Sequence, residues 1–559
     1  MNILKNSKQY DVIIVGMGLA GIRAAITAAK MGSSVLICAK SLVCSGSSFY
    51  SLMDTLHCQA TIDEKDKKVF MQDITDCSYG MNDPIMNQYY IDHIRERIKE
   101  FPEMGVEYQK LPEPKLACFA SHPHDLYSWT DWSRIRVNVR QIFRNYQNID
   151  VAELTEAISI VTGTTNDQKY VKGIILYKKQ TSTFEYAKSP SIILATGGLG
   201  ALYEHNLNSP DVAGGGHVLA LHAGAELINL EFNQFIPGFI KPIYKVVFRE
   251  GTLDYCNKLI DDSGNEVLRN YLPDDDDYRN CLHKRSFHGP FTSADTSKYF
   301  DIALMDSCIK YNHINGVEIK YSPEIYNDKR SYIKTYLNWL EDVYNINISK
   351  EKVTIAPFFH AANGGIYINH SCETRISGLY ACGEASGGIH GADRLGGNST
   401  GSCLVFGHLA AECAVINASC TDRSDLEVSE EELYQGLKKS YDSGNESTLF
   451  PNDIISRIKK LMWIHANILR NESGLTAVMK EIHTMKEQYN AMPYLLKNES
   501  ISEAVQANHF LVLSEAICLA MLNRKESRGS HYRDDYPELD ATYNKRFKIS
   551  MKDNHLLCY

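Results

Sequence analysis

The sequence predicts an α/β chain: a Rossmann-like dinucleotide-binding unit, interrupted by an inserted domain and followed by a C-terminal helical domain. Three observations carry this reading. An apolar run near the start ends in Gly16-Met17-Gly18-Leu19-Ala20-Gly21. Two more apolar runs, far downstream, also end in glycine. The texture then changes twice: 239–350 is rich in Tyr, Asp, Asn and Lys, and after Cys413 the apolar residues fall at helical spacing.

Residues 10–15 (YDVIIV) form a short continuous apolar run, as a strand buried on both faces requires. Residues 19–31 carry Ala, Ile and Leu at helical spacing, and 33–39 (SSVLICA) read as a second buried strand. This is one βαβ unit. In the loop between, the first glycine permits the turn and the second lets a pyrophosphate approach the backbone. The third allows close helix–strand packing, and the helix N-terminus faces the phosphates. An acidic residue at the end of the second strand would mark a nicotinamide dinucleotide; Lys40 stands there instead. The runs 191–195 and 378–382 lead into Thr196-Gly197-Gly198 and Gly383-Glu384. Three strand-to-glycine junctions suggest one sheet assembled from distant segments. The acidic run 274–277 reads as a solvated loop. Helix-period patterns cover 454–462, 475–485 and 505–522, and the last 35 residues read as polar and irregular.

With 559 residues, 44% hydrophobic and 23% charged, the composition is that of an ordinary globular protein. A net charge of −10 argues against a nucleic-acid partner, whose phosphates must be neutralised. The fifteen cysteines include no Cys-x-x-Cys pair, so reduced thiols in a cytoplasmic protein are expected, without a metal or iron–sulfur site. The polar segment 1–10 has no signal-peptide apolar stretch. The apolar runs fall short of the roughly 20 residues a membrane span needs, so no direct span is expected.

The stretch His390-Gly391-Ala392-Asp393-Arg394-Leu395-Gly396-Gly397-Asn398-Ser399 resembles the HGANRLGGNS of fumarate reductase and succinate dehydrogenase flavoprotein subunits and of L-aspartate oxidases. The run 372–384, ending in Glu384, looks like the family's strand leading to an FAD-binding Glu. His360-Ala361-Ala362-Asn363-Gly364-Gly365-Ile366 is similar to the family's H-x-x-x-GGI, and 470–475 and 526–531 to its helical-domain signatures. The resemblance spans nearly the whole chain. It implies an FAD-binding domain over 1–237 and 353–415, an α+β capping domain over 238–352 and a helical domain over 416–559. It also implies hydride transfer between flavin N5 and a carbon of a small carboxylate-bearing substrate, which His360 and Arg394 would hold. The FAD contacts it implies are Gly16, Gly18, Ala20, Gly21, Lys40, Gly46, Ser47, Ser48, Ala195, Thr196, Gly197, Gly198, Glu384, Arg394, Gly397, Ser399 and Leu404.

Three departures narrow the expectation. The family's FAD-attaching histidine is absent from 45–50 (SGSSFY), which looks more like the GSTFYAQGG of L-aspartate oxidases, so FAD is expected to be non-covalent. Phe291 stands where the capping-domain turn usually carries a proton-transferring Arg; Arg285, His288 and Arg249 are candidates by proximity in sequence. The family's Gln-Phe-His-Pro-Thr is here Gln234-Phe235-Ile236-Pro237-Gly238, which lacks the His and Thr that hold a dicarboxylate. Leaving a substrate's charge unpaired there would cost several kcal/mol. The reading is therefore reduction of an activated C=C bond in a substrate with one carboxylate and a less polar remainder. Alternatives are an L-amino-acid oxidase similar to L-aspartate oxidase, a relative of the adenylylsulfate reductase flavoprotein, and an electron-transfer subunit that keeps FAD without catalysis. Electrons would come from a separate redox protein, a free reduced flavin or a nicotinamide.

Overall fold

In the computed structural model, residues 8–50, 56–129, 134–310 and 315–559 are described, together with the backbone of 3–4. The remainder of the N-terminal segment 1–10 lies outside them. Five parallel strands form the central sheet, in the order Leu379–Ala381, Ser191–Leu194, Val12–Val15, Val35–Cys38 and Ile149–Ala152. The three strands that end in glycine are neighbours, as the sequence suggested. Val12–Val15 is buried throughout, because Leu19–Lys30 covers the sheet and Asn398–Cys420 packs on that helix. Glycines make this approach close: a Cβ on Gly407 would lie 2.7 Å from Ala20 O.

A three-stranded antiparallel meander, Thr155–Thr165, Gln168–Lys178 and Thr183–Lys188, stands beside the sheet, with Ile3–Leu4 on its edge. Between 233 and 362 the chain builds a second antiparallel sheet in the order Asn233–Lys241, Val353–Ala362, Val317–Tyr321, Cys256–Ile260. The helices Asp275–Arg285, Lys298–Lys310 and Ser331–Tyr344 accompany it, with a separate apolar core that includes Phe248, Leu259, Phe300 and Leu340. This is the α+β insert. The expected edge at 237/238 falls inside Asn233–Lys241, and Val353–Ala362 begins at the other. That strand pair reaches from the insert down to His360.

Three local readings change. The acidic run is not a loop: Asp274 caps the helix Asp275–Arg285, accepting from Asp276 N at 2.8 Å and Asp277 N at 3.2 Å. Carboxylates there complement the positive end of the helix dipole. The tail is not wholly irregular, since Lys548–Lys552 and His555–Cys558 form a hairpin whose first strand pairs with Leu227–Ile228. And Asn398–Cys420 and Ile501–Asn523, 23 residues each, are long and apolar enough to cross a membrane by length and composition. Gly, Ala and Ser interrupt their aliphatic runs without making them polar, which hid them in the sequence. In their most apolar windows 44% and 72% of residues are buried inside the protein.

The helices Pro451–His465 and Glu472–Glu487 pack around Ile501–Asn523, and Glu430–Tyr441 packs on the strand Thr155–Thr165. Buried ion pairs tie this layer to the base: Arg524 to Glu231 and to Glu526, each at 2.7 Å, and Arg528 to Glu526 at 2.7 Å. The two helical-domain signatures meet here, with Arg470 Nη1 2.7 Å from His531 Nδ1.

Candidate active site

Val12–Val15 runs into Gly16, whose φ of +116° suits only glycine and whose Cβ would sit 2.2 Å from Ala195 O. A Cβ on Gly21 would sit 1.9 Å from Gly16 O. Gly18 caps Leu19–Lys30 without a side-chain hydrogen bond, and no acid occupies the first turn. Those N–H groups are left for an anion. The segment 45–48 folds over this loop: a Cβ on Gly46 would lie 3.0 Å from Gly18 Cα. A second helix, Gly215–Ala223, also starts without a side-chain cap or an acidic first turn, and its Gly215 and Gly216 face the same space.

That space is an open cavity of about 1110 Å³, its solvent-filled mouth included. Gly16, Gly18, Ala20, Lys40, Gly46, Ser47, Ser48, Ala195, Thr196, Gly197 and Glu384 line it. Gly21 and Gly198 support its walls from behind; a Cβ on Gly198 would strike Glu384 Oε1 at 2.3 Å. Arg394, Gly397, Ser399 and Leu404 are not among its lining. Leu404 is buried in the main core, and its neighbour Cys403 faces the cavity instead. Gly397, at φ +85°, caps Asn398–Cys420, and Ser399 O accepts from Ser402 Oγ within that helix. Sequence reasoning missed Glu156, Asp211, Gln506 and His509, which come from the meander, a loop and the helical layer. No local motif marks them.

Polar groups in the cavity fit a dinucleotide. Thr196 Oγ1 is buried without a hydrogen-bond partner. Burial pushes the Lys40 ammonium down from its usual range, against the pull of Glu156 and Asp211. An ammonium held that way favours an added anion. Glu384 accepts from Ala362 N at 3.0 Å; burial raises its carboxyl and the nearby Arg394 charge opposes that rise.

Beyond the cavity, Arg394 and His360 come together. Arg394 is 7% exposed. Its Nη2 donates to Gln234 Oε1 at 3.0 Å, while its Nε and Gln234 Nε2 have no partner. Burial, then the Arg394 charge, pushes His360 down to about 3, so its imidazole is neutral at ordinary pH; His390 is lowered for the same reasons. Two orphaned buried donors and a neutral imidazole suit a carboxylate.

The structure places the other candidates differently. Arg285 is fully buried, pairs with Asp301 at 2.6 Å, and gives its remaining donors to His288 O and Gly289 O. His288 has Pro290 O at 2.7 Å on one ring nitrogen and Ser297 Oγ at 3.0 Å on the other, stacks on Phe119, and is pushed down to about 4 by burial. Arg249 lies over the Tyr336 ring. Phe291 is buried against Tyr532, and its N–H donates to Phe235 O at 2.8 Å. The next residue, Thr292, donates from Oγ1 to Asp393 Oδ2 at 2.7 Å. Asp393, where the related stretch reads Asn, is 2% exposed, and its other oxygen has no partner. Burial raises this carboxyl to about 7.

A family model described as FAD binding domain matches residues 11–400, and one described as fumarate reductase flavoprotein C-term matches 455–556. The chain belongs to the fumarate reductase flavoprotein family. It is 26% identical to a fumarate reductase (CoM/CoB) chain of Methanothermobacter marburgensis, over 97% of each chain. It is also 26% identical to an L-aspartate oxidase of Vibrio cholerae, over 95% of this chain and 96% of that one. The FrdA chain of E. coli quinol fumarate reductase superposes with a TM-score of 0.79 at 19% identity, covering 100% of this chain and 97% of that one. The protein is an FAD-dependent oxidoreductase of the fumarate reductase type, and the glycine-lined cavity supplies the features FAD needs.

Proposed function

We propose that this flavoenzyme reduces an activated C=C bond in a substrate bearing one carboxylate. The observation that carries this reading is the pair of orphaned donors, Arg394 Nε and Gln234 Nε2, beside the neutral His360. Arg394 would take the carboxylate as a fork and His360 would donate to it. Ile236 and Pro237 follow Gln234 on the same strand and offer no second pair of donors, so a dicarboxylate would leave charge unpaired. When bound, the flavin supplies the hydride at N5. The chain's part is to hold the substrate, exclude water and deliver a proton. Glu156, Lys40 and Asp211 would hold one end of the FAD, and the capless N-termini at Gly18 and Gly215 its phosphates. We read the FAD as non-covalent because the loop over it offers Ser47, whose Oγ already accepts from Asn208 Nδ2 at 3.0 Å.

All fifteen cysteines are free thiols, which supports a reducing, cytoplasmic location. A separate redox protein is our reading for the electron donor. A second reading, an L-amino-acid oxidase, is favoured by the 45–50 loop and by the L-aspartate oxidase relatives. The test is anaerobic: holoprotein reduced by viologen, then offered fumarate, crotonate and cinnamate. Reoxidation by a monocarboxylate in preference to fumarate is expected, and Arg394→Ala should lose it while keeping FAD. Peroxide release with L-amino acids, and no reoxidation by any unsaturated acid, would replace this reading with the oxidase.

A further inference from the structure

We propose that Cys118 is the proton donor of this site, resupplied through Glu250, in the place left by Phe291. The inference rests on the reductase reading above. Cys118 is hydrogen-bonded to the substrate-binding loop: its carbonyl accepts from Gly396 N at 3.0 Å, two residues from Arg394. Its sulfur meets the turn of the insert, where Gly289 N–H donates to Sγ at 3.4 Å. Gly289 is two residues from Phe291. The thiol therefore enters at the junction of the Arg394 loop with the turn where the related enzymes carry an arginine. Phe291 has no proton to give, and Arg285 and His288 have theirs committed within the insert.

Two buried groups mark this junction as a ligand site independently of the thiol. Arg394 at 7% exposure and Gln234 at 0% each keep a donor nitrogen without a partner. Cys118 is close enough to Arg394 for their charges to interact. Burial raises the thiol to about 12, so the sulfur holds its proton at neutral pH, as an acid must. Glu250 completes the route: its Oε1 accepts from the Cys118 thiol at 3.7 Å, the contact along which a proton can return, and the residue is partly exposed to solvent.

FAD, when bound and reduced, would supply a hydride to one carbon of the C=C bond. The electron pair of that bond moves to the neighbouring carbon, which takes the proton of Cys118. A C–H bond forms, the S–H bond breaks, and its electron pair stays on sulfur. Gly289 N–H and the charges of Arg249 and Arg394 stabilise the thiolate until Glu250 passes it a proton taken from water.

The test uses holoprotein with Cys118→Ala and Cys118→Ser, and FAD content and circular dichroism to show that each folds. With whichever unsaturated acid reoxidises the wild-type protein, Cys118→Ala should slow reoxidation about 10²–10⁴-fold. Cys118→Ser should recover part of the rate. A second readout is independent of turnover: the S–H stretch of Cys118 in infrared difference spectra of the oxidised protein, assigned by its loss in Cys118→Ala, should shift when the same acid binds. A Cys118→Ala variant as fast as wild type, or an S–H stretch untouched by the acid, overturns the proposal and leaves the reductase reading standing. If no unsaturated acid reoxidises the wild-type protein, the two fall together.

Discussion

Asp393→Asn isolates the cost of one buried carboxyl. Its ordinary value is 3.8 and burial raises it to about 7, with only Thr292 Oγ1 and the Ser530 backbone N–H to hold the charge. Tyr79 and Cys77 face it and are disfavoured by its charge, and among the described residues no cation offsets it. A difference of about 3 between folded and unfolded chains corresponds to about 4 kcal/mol. The sign follows from proton counting. Between pH 3.8 and 7 the folded state keeps a proton that the unfolded state has lost. Stability therefore falls as pH rises through that window and levels off above it. Asparagine keeps an oxygen for Thr292 and has no charge to bury, but its amide nitrogen meets the position where Oδ1 now has no partner. That unsatisfied donor costs about 1–3 kcal/mol. The net gain expected above pH 7 is about 1–3 kcal/mol, shrinking as pH falls to 5. Thermal unfolding of both apoproteins from pH 5 to 9 measures it. A gain that does not change with pH, or one larger at pH 5 than at pH 8, would refute the account.

Other outcomes follow from the same geometry. Gly21→Ala drives a Cβ to 1.9 Å from Gly16 O, so the loop must move; the purified protein should carry little FAD, read as the ratio of flavin to protein absorbance. Arg285→Ala leaves Asp301 charged and buried, which typically costs about 3–5 kcal/mol. Denaturant unfolding should show that loss, whereas a purely chemical role for Arg285 would leave stability intact. Acid precipitation should release all the flavin into the supernatant; colour retained in the pellet would mean a covalent bond.

Much of the fold was legible because its signals are local. The Gly16 turn, the all-apolar strands and the helical spacing of the last third depend on neighbours within a few residues. The same locality explains the misreadings. An acidic run looks solvated whether it is a loop or a capped helix start, and only the hydrogen bonds of Asp274 tell them apart. The hairpin 548–558 is held by pairing with Leu227–Ile228, more than 300 residues away, and nothing in its own sequence announces it.

By itself the sequence determined the cofactor class and the enzyme family, and offered Arg394, Arg285 and their neighbours as candidates. Those follow from backbone approach and motif chemistry, which travel with short segments. The tertiary structure decided which of those groups still have work to do. Arg285 looked available in the sequence, yet it spends its donors on Asp301, His288 and Gly289. Cys118 looked unremarkable, yet it meets a turn 171 residues away beside Arg394. Protonation, orphaned donors and proton routes depend on burial and on contacts between distant segments, and these exist only once the chain has closed around the site.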